Sequence, residues 1–248
     1  MRPALLSSHT TENQILANLD KTDYQQLFSK LERVTLVQGE VVYEADGSID
    51  YVYFPGTAVC SMLATMEDGG TVEVGPVGRE GLVGLRIFLG AETTPDRVIV
   101  HMGGTAMRLR ASVLKAALVG KQTALERKLL RYTQMLLAMT GRTGACNKLH
   151  SLEQQLARWL LTMNDYTDDH LQLTHELIAL TLGVRRAGIS VAANIFRDSG
   201  YIDYHRGDIR LVDRKGLEAV ACECYQLVKE EYHHLYSDLI HEAGIMRF

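Results

Sequence analysis

The 248-residue sequence has no long apolar run; the longest unbroken one is Met135–Met139. A helix crossing a bilayer needs about 20 consecutive apolar residues, so no transmembrane span and no membrane partner are expected. Near the N-terminus only Ala4-Leu5-Leu6 is apolar, shorter than the core of a signal peptide, and the expected location is the cytoplasm. Cysteine is scarce: Cys60, Cys146, Cys222 and Cys224 are too few and too scattered for a disulfide framework. A positive excess is missing too. With 26 Lys and Arg against 30 Asp and Glu, the net charge of −4 excludes a protein that coats nucleic acid or membrane without selectivity, although it leaves room for a local basic face.

Signatures of catalysis are equally sparse. His175-Glu176 is not followed by the second histidine of a zinc-protease helix, and Gly120-Lys121 lacks the flanking residues of a phosphate loop. The glycines at 78, 81 and 84 are not spaced as a dinucleotide fingerprint, and no nucleophile sits in a G-x-S-x-G elbow. The expectation is a protein that is not an enzyme. Its 46% hydrophobic and 23% charged residues are those of an ordinary globular chain of one or two domains.

Three textures follow one another along the chain. After one or two short helices over residues 10–33, the stretch from Val34 to Arg110 carries β-branched and aromatic runs such as Tyr51-Val52-Tyr53-Phe54. These are separated by turn signals, among them Asp46-Gly47, Pro55-Gly56 and Asp68-Gly69-Gly70. Short strands at such spacing predict a sandwich, barrel or jelly roll. Beyond Ser112, Leu125, Leu129, Tyr132, Leu136 and Met139 recur in steps of four and three. That heptad seam predicts a long helix paired with a second subunit, and the same count reaches Thr143, Cys146 and His150. Gly141 and Gly144 weaken helix propensity there, so a bend is expected. Ser151 and Gln154 form a capping-box pattern that opens a fresh helix.

His175 to Asn194 is the most specific segment. Two helices crossing in a helix-turn-helix need a small residue at the crossing, met by Ala179, and one tolerant of positive φ in the turn, met by Gly183. Ile178, Leu182, Val184, Ile189 and Ala192 fill the apolar positions. Arg185 and Arg186 then stand at the N-terminal end of the second helix, the end that enters a major groove. Guanidinium groups there bind phosphate or pair with guanine O6 and N7. From Val184 to Arg214 the chain has six arginines against four aspartates. Two strand-like runs with His205 and Arg206 at their joining turn complete a winged motif whose tip reaches backbone phosphate.

From about Leu16 to Val212 the sequence resembles the cyclic AMP receptor / fumarate-nitrate regulator family of bacterial transcription factors. The resemblance rests on Gly39, Gly56 and Gly69-Gly70 at turns, the Gly81-Leu82-Val83-Gly84-Leu85 segment, the long helix, and the pattern from Thr174 to Gly183. It implies an α+β fold: an effector-sensing β-roll over 1–118, a dimerisation helix over 119–149, a winged helix-turn-helix over 150–214 and a C-terminal helical extension over 215–248. It also implies a homodimer on a palindromic site in double-stranded DNA, with an effector in the roll. RNA polymerase is a further expected partner without a local signature. By position, Arg186 matches the family's base-reading arginine, and Thr174, His175 and Arg185 match phosphate-facing positions, with Ser190 in the same set. Ala187 and Val191 replace base-reading charged residues, so a different operator is expected.

The effector is not identified. Leu82 stands where cyclic-nucleotide binders carry the ribose-holding glutamate, and Thr94-Pro95-Asp96-Arg97 departs from their phosphate-binding pair. A cyclic nucleotide is therefore disfavoured, with Arg79, Glu80, Gly81, Leu82 and Arg97 as the candidate contacts. Arg79 and Glu80 themselves read as a surface salt bridge. His101 reads as structural rather than as a haem ligand. Cys146 and His150, four apart on a helix, and Cys222-Glu223-Cys224 have metal-ligating chemistry. The helical pair lies on the seam, where cysteine is a good apolar filler, and C-x-C is a weaker signal than C-x-x-C, so no metal is expected. A second reading is an interaction module that docks through Leu217, Val220, Ala221, Cys224, Tyr225 and Val228 on the C-terminal helix.

Overall fold

The computed structural model describes residues 12–19, 21–119, 123–167 and 170–242. Two short helices, α1 (Gln14–Ala17) and α2 (Lys21–Phe28), open the chain. The Asn13 carboxamide oxygen accepts from Ile15 and Leu16 N–H, and its Nδ2 donates to the carbonyls of Pro55 and Gly81, both at 2.9 Å. One buried side chain thus caps α1 and ties it to the strands that follow.

Those strands are β1 (Glu32–Leu36), β2 (Val41–Tyr43), β3 (Tyr51–Pro55), β4 (Val59–Thr65), β5 (Thr71–Val77), β6 (Arg97–Met102) and β7 (Gly104–Arg110). They form two antiparallel sheets, ordered β1-β7-β3 and β2-β6-β4-β5. In β3 the alternation buries Val52 and Phe54 and leaves Tyr51 and Tyr53 partly exposed, as a half-buried strand requires. Val52, Phe54, Cys60, Leu82, Val100 and Leu109 belong to the core that both sheets share, which makes the roll.

Helix α3 (Ala111–Leu118) leads to α4 (Ala124–Leu149), capped by Thr123, whose hydroxyl accepts from Glu126 N–H at 3.0 Å. α4 shows no interruption at Gly141 and Gly144 and runs unbroken through both. Packing against a later helix, described below, outweighs their low propensity. Helix α5 (Leu152–Asn164) starts at a complete capping box between Ser151 and Gln154. Then come β8 (Leu171–Gln172), α6 (His175–Leu182), α7 (Arg186–Asp198), β9 (Ile202–His205), β10 (Asp208–Leu211), α8 (Arg214–Val220) and α9 (Cys224–Glu242). The three strands pair in the order β8-β10-β9. Trp159, Leu160, Ile178, Ile189, Phe196 and Leu217 form a second core beneath them.

The two units meet through buried polar groups. Trp159 on α5 packs edge-on to His101 of β6 with ring centroids 5.1 Å apart, and its Nε1 donates to Glu73 of β5 at 3.3 Å. The Ser61 hydroxyl donates to the other Glu73 oxygen. Burial pushes the Glu73 carboxyl up to about 7 and the His101 imidazole down to about 4. His101 is thus a neutral ring between the units, which suits a structural part.

Helix α9 corrects two expectations. It packs along α4, with Cys224 beside His150 and the Tyr232 hydroxyl 3.9 Å from Met139 Sδ, so the two helices run antiparallel. The seam assigned to a partner subunit is therefore covered by the chain itself. Leu125, Leu129, Tyr132 and Met139 are buried and Leu136 is half-buried, against the roll and α9. A stripe spaced by threes and fours demands only that something apolar cover it, and here the cover is intramolecular. Likewise Leu217, Cys224, Tyr225 and Val228 are buried, and Val220 and Ala221 half-buried, so the face offered for docking another protein is already packed.

Candidate nucleic-acid interface

Helix α6 begins at Thr174, whose hydroxyl accepts from Leu177 N–H at 3.2 Å, and ends at Gly183 with φ of +65°. The chain reverses there through Val184 N–H donating to the Ala179 carbonyl at 3.0 Å. Ala179 is buried at the crossing, and the axes of α6 and α7 turn through 112°. That is the range of a helix-turn-helix. A Cβ on Gly183 would also come 3.1 Å from Val72 of β5, so the turn is seated on the roll.

Helix α7 is sharply two-faced. Ile189, Ala192, Ala193 and Phe196 point inward, and burial of Ile189 and Phe196 stabilises the unit by about 1.5–3 kcal/mol each. Arg185, Arg186, Ala187, Val191 and Asn194 face solvent, with Val191 at 60% exposure. No side chain caps the first turn of α7, so its N–H groups and positive dipole end project together with the two arginines. Arg186 Nε lies 2.7 Å from Glu176 Oε1 of α6, an exposed pair that steers the guanidinium without holding it tightly. Glu176 is a contact the sequence reading missed.

The wing stands beside this face. Arg206 and Gly207, at φ of +50° and +86°, make the two-residue turn joining β9 to β10. His205 and Arg206 are exposed at its tip, and Leu173 N–H donates to the Gly207 carbonyl at 2.7 Å, which sets the tip next to Thr174. His175 does not face outward as a phosphate contact. It is 8% exposed, stacked on Tyr204 of the wing at 4.4 Å, and its Nδ1 is 3.0 Å from Ser190 Oγ of α7. Burial, then the Arg186 charge, lowers its pKa. The neutral ring is a strut that fixes α6, α7 and the wing to one another, and Ser190 is half of that strut.

A model of the Crp-like helix-turn-helix domain matches residues 154–220. No curated protein matches the chain by sequence. Among solved structures, FixK2 from Bradyrhizobium japonicum has a TM-score of 0.67 at 17% identity, covering 77% of this chain and 98% of its own. A Crp/Fnr-family regulator from Eubacterium rectale gives 0.65 at 15%, covering 84% and 98%. One from Thermus thermophilus gives 0.62 at 21%, covering 77% and 98%. Residues 154–220 carry a Crp-like helix-turn-helix domain. The fold of the chain is that of these regulators, and no helix among the described residues is long and apolar enough to cross a membrane.

The effector candidates do not converge. Leu82 is buried in the roll, and Tyr132 packs directly onto Gly81, where any Cβ would collide with its ring. Arg97 pairs with Glu44 on the surface at 3.1 Å. The surface salt bridge between Arg79 and Glu80 is not formed. Arg79 donates to the Asp165 carbonyl at 3.2 Å, whereas Glu80 turns inward to accept from Gly78 N–H at 2.8 Å and from the Tyr166 hydroxyl at 3.1 Å. Burial raises the Glu80 pKa. A backbone turn that buries one neighbour and exposes the next separates them. Both residues border a cleft of about 310 Å³ shared with Tyr166, Tyr225, Lys229 and Tyr232.

Cys146, His150, Cys222 and Cys224, at which no metal was expected, come together with their ligand atoms within 4.8 Å of one another. All four lie where α4, the start of α5 and the α8–α9 junction meet.

Proposed function

We propose that this chain is a sequence-specific transcriptional regulator of the Crp/Fnr type that lays α7 in the major groove of a two-fold symmetric site. The observation that carries this reading is the solvent face of α7, with Arg185, Arg186, Ala187 and Val191 flanked by the wing tip. On this reading Arg186 reads a base, with a guanine edge the best fit to its fork, and Val191 suits a thymine methyl. Arg185, Thr174, His205 and Arg206 neutralise phosphates. His175 and Ser190 contribute by holding the helices and wing in register.

The homodimer expected of such a regulator is assigned to the outer face of α4 in place of the buried seam. Leu130 and Leu137 are 54% and 70% exposed there, seven residues apart, and Gly141 and Gly144 continue the stripe with open space above them. A second α4 approaches closely along such a stripe and buries both leucines. Cyclic nucleotide control is disfavoured, because the roll offers neither ribose carboxylate nor phosphate arginine and Tyr132 covers Gly81. The cleft at Glu80 is the better site for a small effector, since it touches the roll, the DNA unit and α9.

Anisotropy titration of labelled duplexes tests the reading. Arg206→Ala is expected to weaken every sequence alike and reduce the salt slope by about 1, leaving discrimination intact. Salt-independent binding without preference among duplexes would refute it.

A further inference from the structure

We propose that Cys146, His150, Cys222 and Cys224 form a closed four-coordinate site for a thiophilic divalent cation, zinc by its chemistry. The donor set is three sulfurs and one imidazole, a common composition for structural zinc. Zinc–sulfur and zinc–nitrogen bonds of about 2.3 and 2.0–2.1 Å place tetrahedral ligands about 3.8 Å apart for two sulfurs and about 3.6 Å for sulfur and nitrogen. Cys146 Sγ lies 3.5 Å from Cys222 Sγ, and Cys224 Sγ lies 3.8 Å from His150 Nδ1. With all four donor atoms within 4.8 Å of one another, the space suits a single ion.

An independent feature points the same way. His150 turns Nδ1 to the sulfurs while Nε2 lies 3.2 Å from the Glu223 carboxylate. A carboxylate on the far nitrogen of a ligating histidine fixes the tautomer and the ring orientation. The three cysteines are buried, whereas Glu223 is largely exposed, so the site has a dry interior and a polar rim. Metal entry displaces one proton from each thiol and leaves a net charge of −1, which the buried Arg158 guanidinium, whose charge acts on Cys146, offsets.

The site joins distant parts of the chain. Cys146 is in the last turn of α4, His150 is its C-cap at the junction with α5, Cys222 follows α8 and Cys224 begins α9. The ion fastens the C-terminal extension to the joint between the long helix and the DNA unit. This inference does not depend on the DNA reading, since metal retention is measured without DNA and either result stands alone.

The test is elemental analysis of the full-length protein, purified under reducing conditions without metal-chelating resin, followed by cobalt(II) exchange. About one zinc per chain is expected, with cobalt giving the thiolate charge-transfer and strong ligand-field bands of a sulfur-rich tetrahedral site. Cys224→Ser is expected to abolish both. Glu223→Gln keeps every donor and should weaken zinc retention against a chelator by about 10- to 100-fold while the fold is unchanged by circular dichroism. Reduced wild-type protein with neither zinc nor a cobalt–thiolate spectrum would overturn the proposal, as would metal retention untouched by both variants.

Discussion

Arg186 stands at the exposed end of α7 in a loose, solvent-exposed ion pair with Glu176, so its fork can leave that carboxylate for a base edge. Truncation to alanine is expected to cost about 1–3 kcal/mol on the preferred site and almost nothing on random duplex, read as a collapsed affinity ratio at fixed salt. Gly183 carries a different demand. At φ of +65° and against Val72, alanine there should destabilise the protein by about 1–2 kcal/mol through backbone strain, measured by urea denaturation. Glu73 supplies a pH dependence. Its carboxyl titrates ordinarily at 4.5 and is pushed up to about 7 when folded, so the folded state holds the proton more tightly. That contribution to stability is full below the ordinary value and is lost as pH rises through the folded one. Thermal stability should therefore fall between about pH 5 and pH 8, and Glu73→Gln should flatten the profile; an unchanged profile in the variant would remove Glu73 as the cause.

At the scale of elements, α4 has one apolar face buried within the chain and one open to solvent, the latter being the proposed dimer face. Leu129→Ala, on the buried face, should cost about 2–5 kcal/mol of stability. Leu137→Glu, on the open face, should leave helicity intact and shift sedimentation from dimer to monomer. If Leu137→Glu remained dimeric, the assigned face would be wrong. The sequence made the helix-turn-helix legible because its constraints are local: Ala179 and Gly183 sit at fixed offsets dictated by helix crossing and turn geometry. The seam was legible as a stripe but not in its cover, because α9 returns to it from almost a hundred residues away. The four residues of the cysteine–histidine group were legible as possible ligands, but their meeting was not, for the same reason. Cys146 and Cys222 are brought together only by the path of α8 and α9, and sequence spacing carries no trace of that path.

For the molecule as a whole, the joints between units are polar and buried. Glu73, Trp159 and His101 join the roll to α5, Glu80 with Tyr166 and Tyr232 joins it to the DNA unit and α9, and the cysteine–histidine group closes the far end of α4. Each joins elements far apart in the sequence, and on the proposed function such joints are what would let the roll bias the direction of α7. Whether α7 reads DNA sequence is tested most directly by selection of bound duplexes from a random library, run in parallel with wild type and Arg186→Ala. Wild type should enrich an inverted repeat with half-sites about one helical turn or a multiple of it apart, and the variant should lose it. No enriched motif, or the same motif from both proteins, would contradict sequence reading by α7.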